Sequence, residues 1–99
     1  QTRDFIFIDD VMDGILNSAE SSYQGIVNIG SGISTSFNQI IEKIETQIGR
    51  SISPKYIKKE SSYVEDLQAD TKLMNSILKI NPISIDLGIK KFAEYLKIT

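Results

Sequence analysis

The 99-residue chain contains no cysteine and no histidine. Without cysteine there are no disulfides and no thiolate metal sites, and a reducing compartment, the cytoplasm, is the expected setting. Without histidine, Ser-His-Asp and Cys-His nucleophilic machinery is excluded, along with nearly every transition-metal site, so no metal is expected. Charge of one sign is also scarce: 11 Lys and Arg stand against 13 Asp and Glu, a net charge of −2. That balance leaves no footprint for nucleic acid. No apolar run approaches the ~20 residues of a membrane span, so no membrane insertion is expected. A leader pattern is missing as well. The chain opens on "QTRDFIFIDD", polar and already patterned, with no initiator Met, which suggests a segment of something longer.

What is present is an ordinary mixture, 40% hydrophobic and 24% charged, suited to one small domain of modest stability. Phe5 to Ile8 form a short apolar run between charged flanks, the pattern of a strand buried on both faces. Asp9 or Asp10 then caps a helix carrying Val11, Met12, Ile15, Leu16 and Ala19. Gly25 opens a second strand, Ile26 to Ile29. Ser36 and Gln39 have capping-box spacing ahead of a helix striped by Phe37, Ile40, Ile41, Ile44 and Ile48, which Gly49 stops. "SPKYIKK" reads as a third strand, and "ESSYVEDLQ" as loop. Asp70 or Thr71 caps a short helix with Leu73, Met74, Ile77 and Leu78, and Ser84 caps a last one with Ile85, Ile89, Phe92 and Leu96. The expected class is α/β, with about three short strands and four helices. Those helices need more apolar cover than so thin a sheet supplies, so an exposed apolar face that docks on a partner domain is expected.

"GIVNIGSGISTSFNQIIEKI" runs strand, Gly-x-Gly, helix, as the dinucleotide-binding turn of a Rossmann domain does. The full fingerprint needs a third glycine, and Thr35 stands there. It also needs an acid about 20 residues on, where the chain has the basic "YIKK". The glycines therefore read as serving a strand-to-helix connection. No Tyr is followed four residues later by Lys: the positions after Tyr23, Tyr56, Tyr63 and Tyr95 are Val27, Glu60, Leu67 and Thr99. The cluster Asp9, Asp10 and Asp13 is explained by a helix start. Arg3, just ahead of a buried run, admits two readings: a two-pronged grip on phosphate, or a surface ion pair with a nearby acid.

Four ordered segments resemble one family. "QTRDFIFIDDVMDGIL", "GIVNIGSGISTSFNQIIEKI", "ADTKL" and "PISIDLGIKKFAEYL" are similar, in that order, to segments of the extended short-chain dehydrogenase/reductases, the NAD-dependent nucleotide-sugar epimerases and dehydratases. The resemblance covers nearly all of residues 1–99. It implies the C-terminal, substrate-binding lobe of such an enzyme, with the NAD-binding Rossmann half and its Tyr-Lys pair outside this chain. The lobe alone is then expected to be inactive. The implied cofactor is NAD or NADP, bound mainly by the other half. The implied partners are a nucleotide sugar, the Rossmann half of the same polypeptide, and a second copy in a homodimer.

The same resemblance matches Arg3 to an arginine that contacts the substrate diphosphate, Gln1 to a polar neighbour of that site, and Asn28 to a buried structural amide. Many UDP-sugar epimerases such as UDP-glucose 4-epimerase have Arg-x-Gly-Asp ahead of the "AD" motif. Here the stretch is "KESSYVEDLQAD", closer to ADP-glycero-manno-heptose 6-epimerase, and Tyr63 becomes a further candidate for the diphosphate. The expected activity is nucleotide-sugar epimerisation. The same lobe in a dehydratase or reductase, and a non-catalytic interaction domain, are the alternatives.

Overall fold

The structure is a computed structural model that describes residues 1–58 and 64–97. It is α/β. In chain order come β1 (Thr2–Asp4), α1 (Ile8–Glu20), β2 (Ser34–Ser36), α2 (Phe37–Ile48), a π-helical turn (Met74–Leu78) and α3 (Ile85–Leu96). β1 and β2 pair antiparallel, with Thr2 opposite Ser36, Arg3 opposite Thr35 and Asp4 opposite Ser34. On the other edge of β1 the Thr2 N–H donates to the Glu65 carbonyl (2.9 Å) and the Leu67 N–H to the Thr2 carbonyl (3.2 Å). Residues 65–67 thus run beside β1 as a third line of backbone.

The helix boundaries follow local chemistry. Ser36 accepts the Gln39 N–H and the Gln39 side chain accepts the Ser36 N–H, the reciprocal pair expected from the sequence. Gly49 closes α2 in the left-handed region, φ 70°. Ser84 caps α3 by accepting the Leu87 N–H. Asp70 accepts the Lys72 N–H at 3.1 Å ahead of the short helical stretch that contains the π-turn.

Several expected elements differ. Two strands, not about three, are formed among the described residues. Phe5 to Phe7 are not a strand, and the residue at the N-cap of α1 is Phe7 rather than Asp9 or Asp10. Ile26 to Ile29 make no ladder, and residues 53–58 of "SPKYIKK" have no regular structure. A strand needs a neighbouring backbone, and these apolar runs have none within the described residues. The third position beside β1 goes to 65–67, which carry no regular secondary structure, as expected of that stretch.

The buried apolar residues among those described are Met74, Leu78, Ile80 and Ala93. Val27, Ile29 and Ile77 pack on the first three. α1 turns its small and polar side inward. Asp10 is buried and accepts the Ile83 N–H at 3.0 Å. Gly14 is buried against the Ile29 side chain. The Asn17 amide donates to the Leu78 carbonyl at 2.9 Å. The expected apolar stripe of this helix, with Met12, Ile15 and Leu16, faces solvent instead. α2 and α3 pack together, with Lys43 paired to Asp86 at 2.9 Å.

Candidate functional site

β1 carries the charged pair Arg3 and Asp4, and neighbouring residues of a strand point to opposite faces. Asp4 is directed to the glycine turn. Its Oδ1 accepts the Ser31 N–H and the Ser31 hydroxyl, both at 2.7 Å. Its Oδ2 accepts the Gly32 N–H at 2.8 Å and the Ala69 N–H at 3.1 Å. Partial burial alone would raise the pKa of this carboxyl. The bonds from the Ser31 hydroxyl and from the Ser31, Ala69 and Gly32 amides outweigh it and hold the pKa below its ordinary value. Sequence reasoning did not single out Asp4. A turn rich in glycine and serine does signal an anion, but nothing in its spacing says that the anion is a side chain 27 residues upstream.

The glycines are explained by that carboxylate. A Cβ on Gly30 would lie 2.6 Å from the Ala69 Cβ and 3.1 Å from Asp4 Oδ2. Gly32 sits at φ +78°, where only glycine is comfortable. The turn therefore closes over an internal anion. The amides that a dinucleotide phosphate would need are engaged by Asp4, and β2 lies between the turn and α2, so the turn does not fit a pyrophosphate as a Rossmann turn does.

Arg3 and Gln1 converge on a single segment. Arg3 Nη1 donates to the Thr2 carbonyl at 2.7 Å and to the Glu65 carbonyl at 3.4 Å, and Gln1 Nε2 donates to the Val64 carbonyl at 3.4 Å. The segment is fastened to the strands by hydroxyls: Thr2 Oγ1 donates to Asp66 Oδ1 at 2.7 Å, and Ser34 Oγ lies 3.0 Å from Thr2 Oγ1 and 3.1 Å from the Leu67 carbonyl. Tyr63, the remaining candidate, lies outside the described residues. Arg3 is half-buried, and among the described residues no carboxylate forms an ion pair with it. Its guanidinium carbon stands over the Phe37 ring, 5.8 Å from the centroid. Phe37 in turn meets the Phe5 ring edge-on, with 6.0 Å between centroids and 86° between planes. Sequence periodicity placed Phe37 in an apolar stripe and gave no hint of this contact. Asn28, expected to be a buried amide, is exposed.

An oriented guanidinium without a paired carboxylate can bind an anion. Among the described residues, nothing in this cluster supplies a proton-transfer pair or a nucleophile with a base. Among the described residues there is no group of three or more acidic side chains that could hold a metal, and no helix is long and apolar enough to cross a membrane.

In sequence and fold the chain is similar to the C-terminal portion of NAD-dependent nucleotide-sugar epimerases. In particular, it is 34% identical to the UDP-glucuronate 4-epimerase of Thermodesulfobacterium geofontis over 98% of its own length and 31% of that protein. It superposes on UDP-glucose 4-epimerase of Thermotoga maritima, solved with UDP-glucose, with a TM-score of 0.88 and 27% identity. That match covers 97% of this chain and 31% of the other. UDP-glucuronic acid 4-epimerase of Bacillus cereus, solved with NAD, gives a TM-score of 0.78 and 29% identity over 98% of this chain and 31% of the other. The chain thus spans about a third of the length of these relatives. No protein-family model matches it.

Proposed function

We propose that this chain is the nucleotide-sugar-binding lobe of an NAD-dependent nucleotide-sugar 4-epimerase, acting together with a cofactor-binding half and inactive without it. The observation that carries the reading is a similarity to UDP-sugar 4-epimerases that runs through 98% of the chain. The geometry adds a half-buried arginine with no carboxylate partner among the described residues. NAD, held by the other half, supplies the hydride acceptor. The work of this lobe is to bind and orient. Arg3 grips the substrate diphosphate, Gln1 fixes the 64–65 segment beside it, and Tyr63 is the further candidate for the diphosphate. Binding energy from the nucleotide is then spent on placing the sugar for reaction.

The test is direct. The chain alone, and the same chain in an intact enzyme with its cofactor-binding half, are incubated with UDP-glucuronate and with UDP-glucose. Products are read by NMR. The expected outcome is inversion at one sugar carbon by the intact enzyme and no turnover by the chain alone. A dehydrated keto sugar would assign the lobe to a dehydratase. Failure to bind any nucleotide sugar would overturn the reading.

A further inference from the structure

We propose that Phe37 is the positioning residue of Arg3: its ring holds the guanidinium in a fixed orientation without neutralising it. This rests on the substrate-binding reading above. An arginine on a half-exposed strand has several rotatable bonds, and a ligand that must first order them loses affinity. A paired carboxylate can fix such a side chain, but it also cancels part of its charge. Here the restraint among the described residues is of another kind. One nitrogen, Nη1, is held by the Thr2 and Glu65 carbonyls, and the cation lies over an aromatic face, 5.8 Å from its centroid. That is within the reach of a cation–π contact.

The ring is itself held from three directions. Phe37 is the first residue of α2, directly after the Ser36–Gln39 capping box. Its N–H donates to the Gln1 carbonyl at 3.3 Å, and the Phe5 ring abuts it edge-on at 6.0 Å. With 43% of its surface exposed, Phe37 is not explained by core packing alone. Among the described residues no carboxylate offsets the charge of the cation, and its position over the ring is already set.

The experiment measures UDP affinity of the intact enzyme by calorimetry for Phe37→Leu, Phe37→Tyr, Arg3→Ala and the double variant Arg3→Ala/Phe37→Leu. Leucine keeps apolar bulk and removes the π face. Phe37→Leu is expected to weaken UDP about threefold to thirtyfold, the span of a cation–π contact. Phe37→Tyr is expected to bind as the parent does. In the Arg3→Ala background, Phe37→Leu is expected to change nothing further. If Phe37→Leu fails to fold, as judged by circular dichroism and melting, Phe37→Met takes its place. The proposal is overturned if Arg3→Ala weakens UDP and Phe37→Leu does not. It is equally overturned if the leucine variant loses as much without Arg3 as with it, since the ring would then touch the ligand itself. A parent enzyme that does not bind UDP would overturn the substrate-binding reading and this one together.

Discussion

Asp4 accepts four hydrogen bonds on two oxygens, and every donor belongs to the glycine turn or to the segment at Ala69. Asparagine cannot reproduce this. Whichever way its amide is turned, an NH2 group faces donors. Asp4→Asn should therefore cost about 1–3 kcal/mol in denaturant unfolding, the penalty for unsatisfied buried donors. A pH dependence follows from the depressed pKa. The folded carboxyl takes up a proton less readily than the unfolded one. Its stabilising contribution is thus complete above the ordinary value of 3.8 and is lost as pH falls below it. The gap in melting temperature between the parent and Asp4→Asn should narrow as the medium is acidified from pH 5 toward about pH 2; a gap constant across that window would contradict the role assigned to Asp4. At Arg3, replacement by alanine in the intact enzyme should weaken nucleotide-sugar binding by ~1.5–3 kcal/mol, as for a charge-assisted contact. Titration calorimetry checks it, and an unchanged affinity would remove Arg3 from the site.

At the scale of elements, what was legible in the sequence was local. The Ser36–Gln39 box, the Gly49 stop and the Ser84 cap each depend on residues within four positions of one another, and all formed as expected. Ser36→Ala should cost ~1 kcal/mol of stability by loss of its cap, measured by chemical denaturation. Strands were less legible because pairing is not local. The runs at Phe5 and Ile26 have strand composition, but composition does not supply a neighbouring backbone. If the missing neighbours belong to the proposed cofactor-binding half, amides of Ile26 to Ile29 should exchange quickly in the isolated chain and slowly in the intact enzyme. Equal exchange in both would refute that pairing. The glycine turn was half legible. Its lack of fit to a dinucleotide could be seen from Thr35, whereas its closure over Asp4 could not. Gly30→Ala tests that closure: a methyl group 2.6 Å from Ala69 Cβ should destabilise by about 1–3 kcal/mol through overpacking.

At the scale of the whole molecule, the chain is a slab, 47 × 37 × 16 Å, with a radius of gyration of 15.7 Å. A compact chain of this length has a radius near ~13 Å. Its accessible surface is 7428 Å², where a compact monomer of this mass exposes about 5,700 Å². The excess is roughly twice the ~800 Å² that one partner contributes to a standard interface. It includes the stripe of α1 and an apolar groove of about 280 Å³ lined by Phe5, Ile6, Phe7, Ile8, Ile89 and Phe92. The slab should therefore bind a hydrophobic dye when isolated, and lose that binding when a cofactor-binding half is supplied. A chain that sediments as a monomer, unfolds cooperatively and binds no dye would show that its apolar surface needs no cover.

The sequence by itself determined the Ser36 and Ser84 caps, the Gly49 stop and the family resemblance, because each is written in residue types at short spacing. Tertiary structure decided what those residues face. It turned the apolar side of α1 outward, because Asp10, Gly14 and Asn17 find their partners inward. It filled the glycine turn with Asp4, and it laid Arg3 over Phe37. Those three outcomes depend on contacts between residues tens of positions apart, and the geometry of such contacts exists only once the chain has closed on itself.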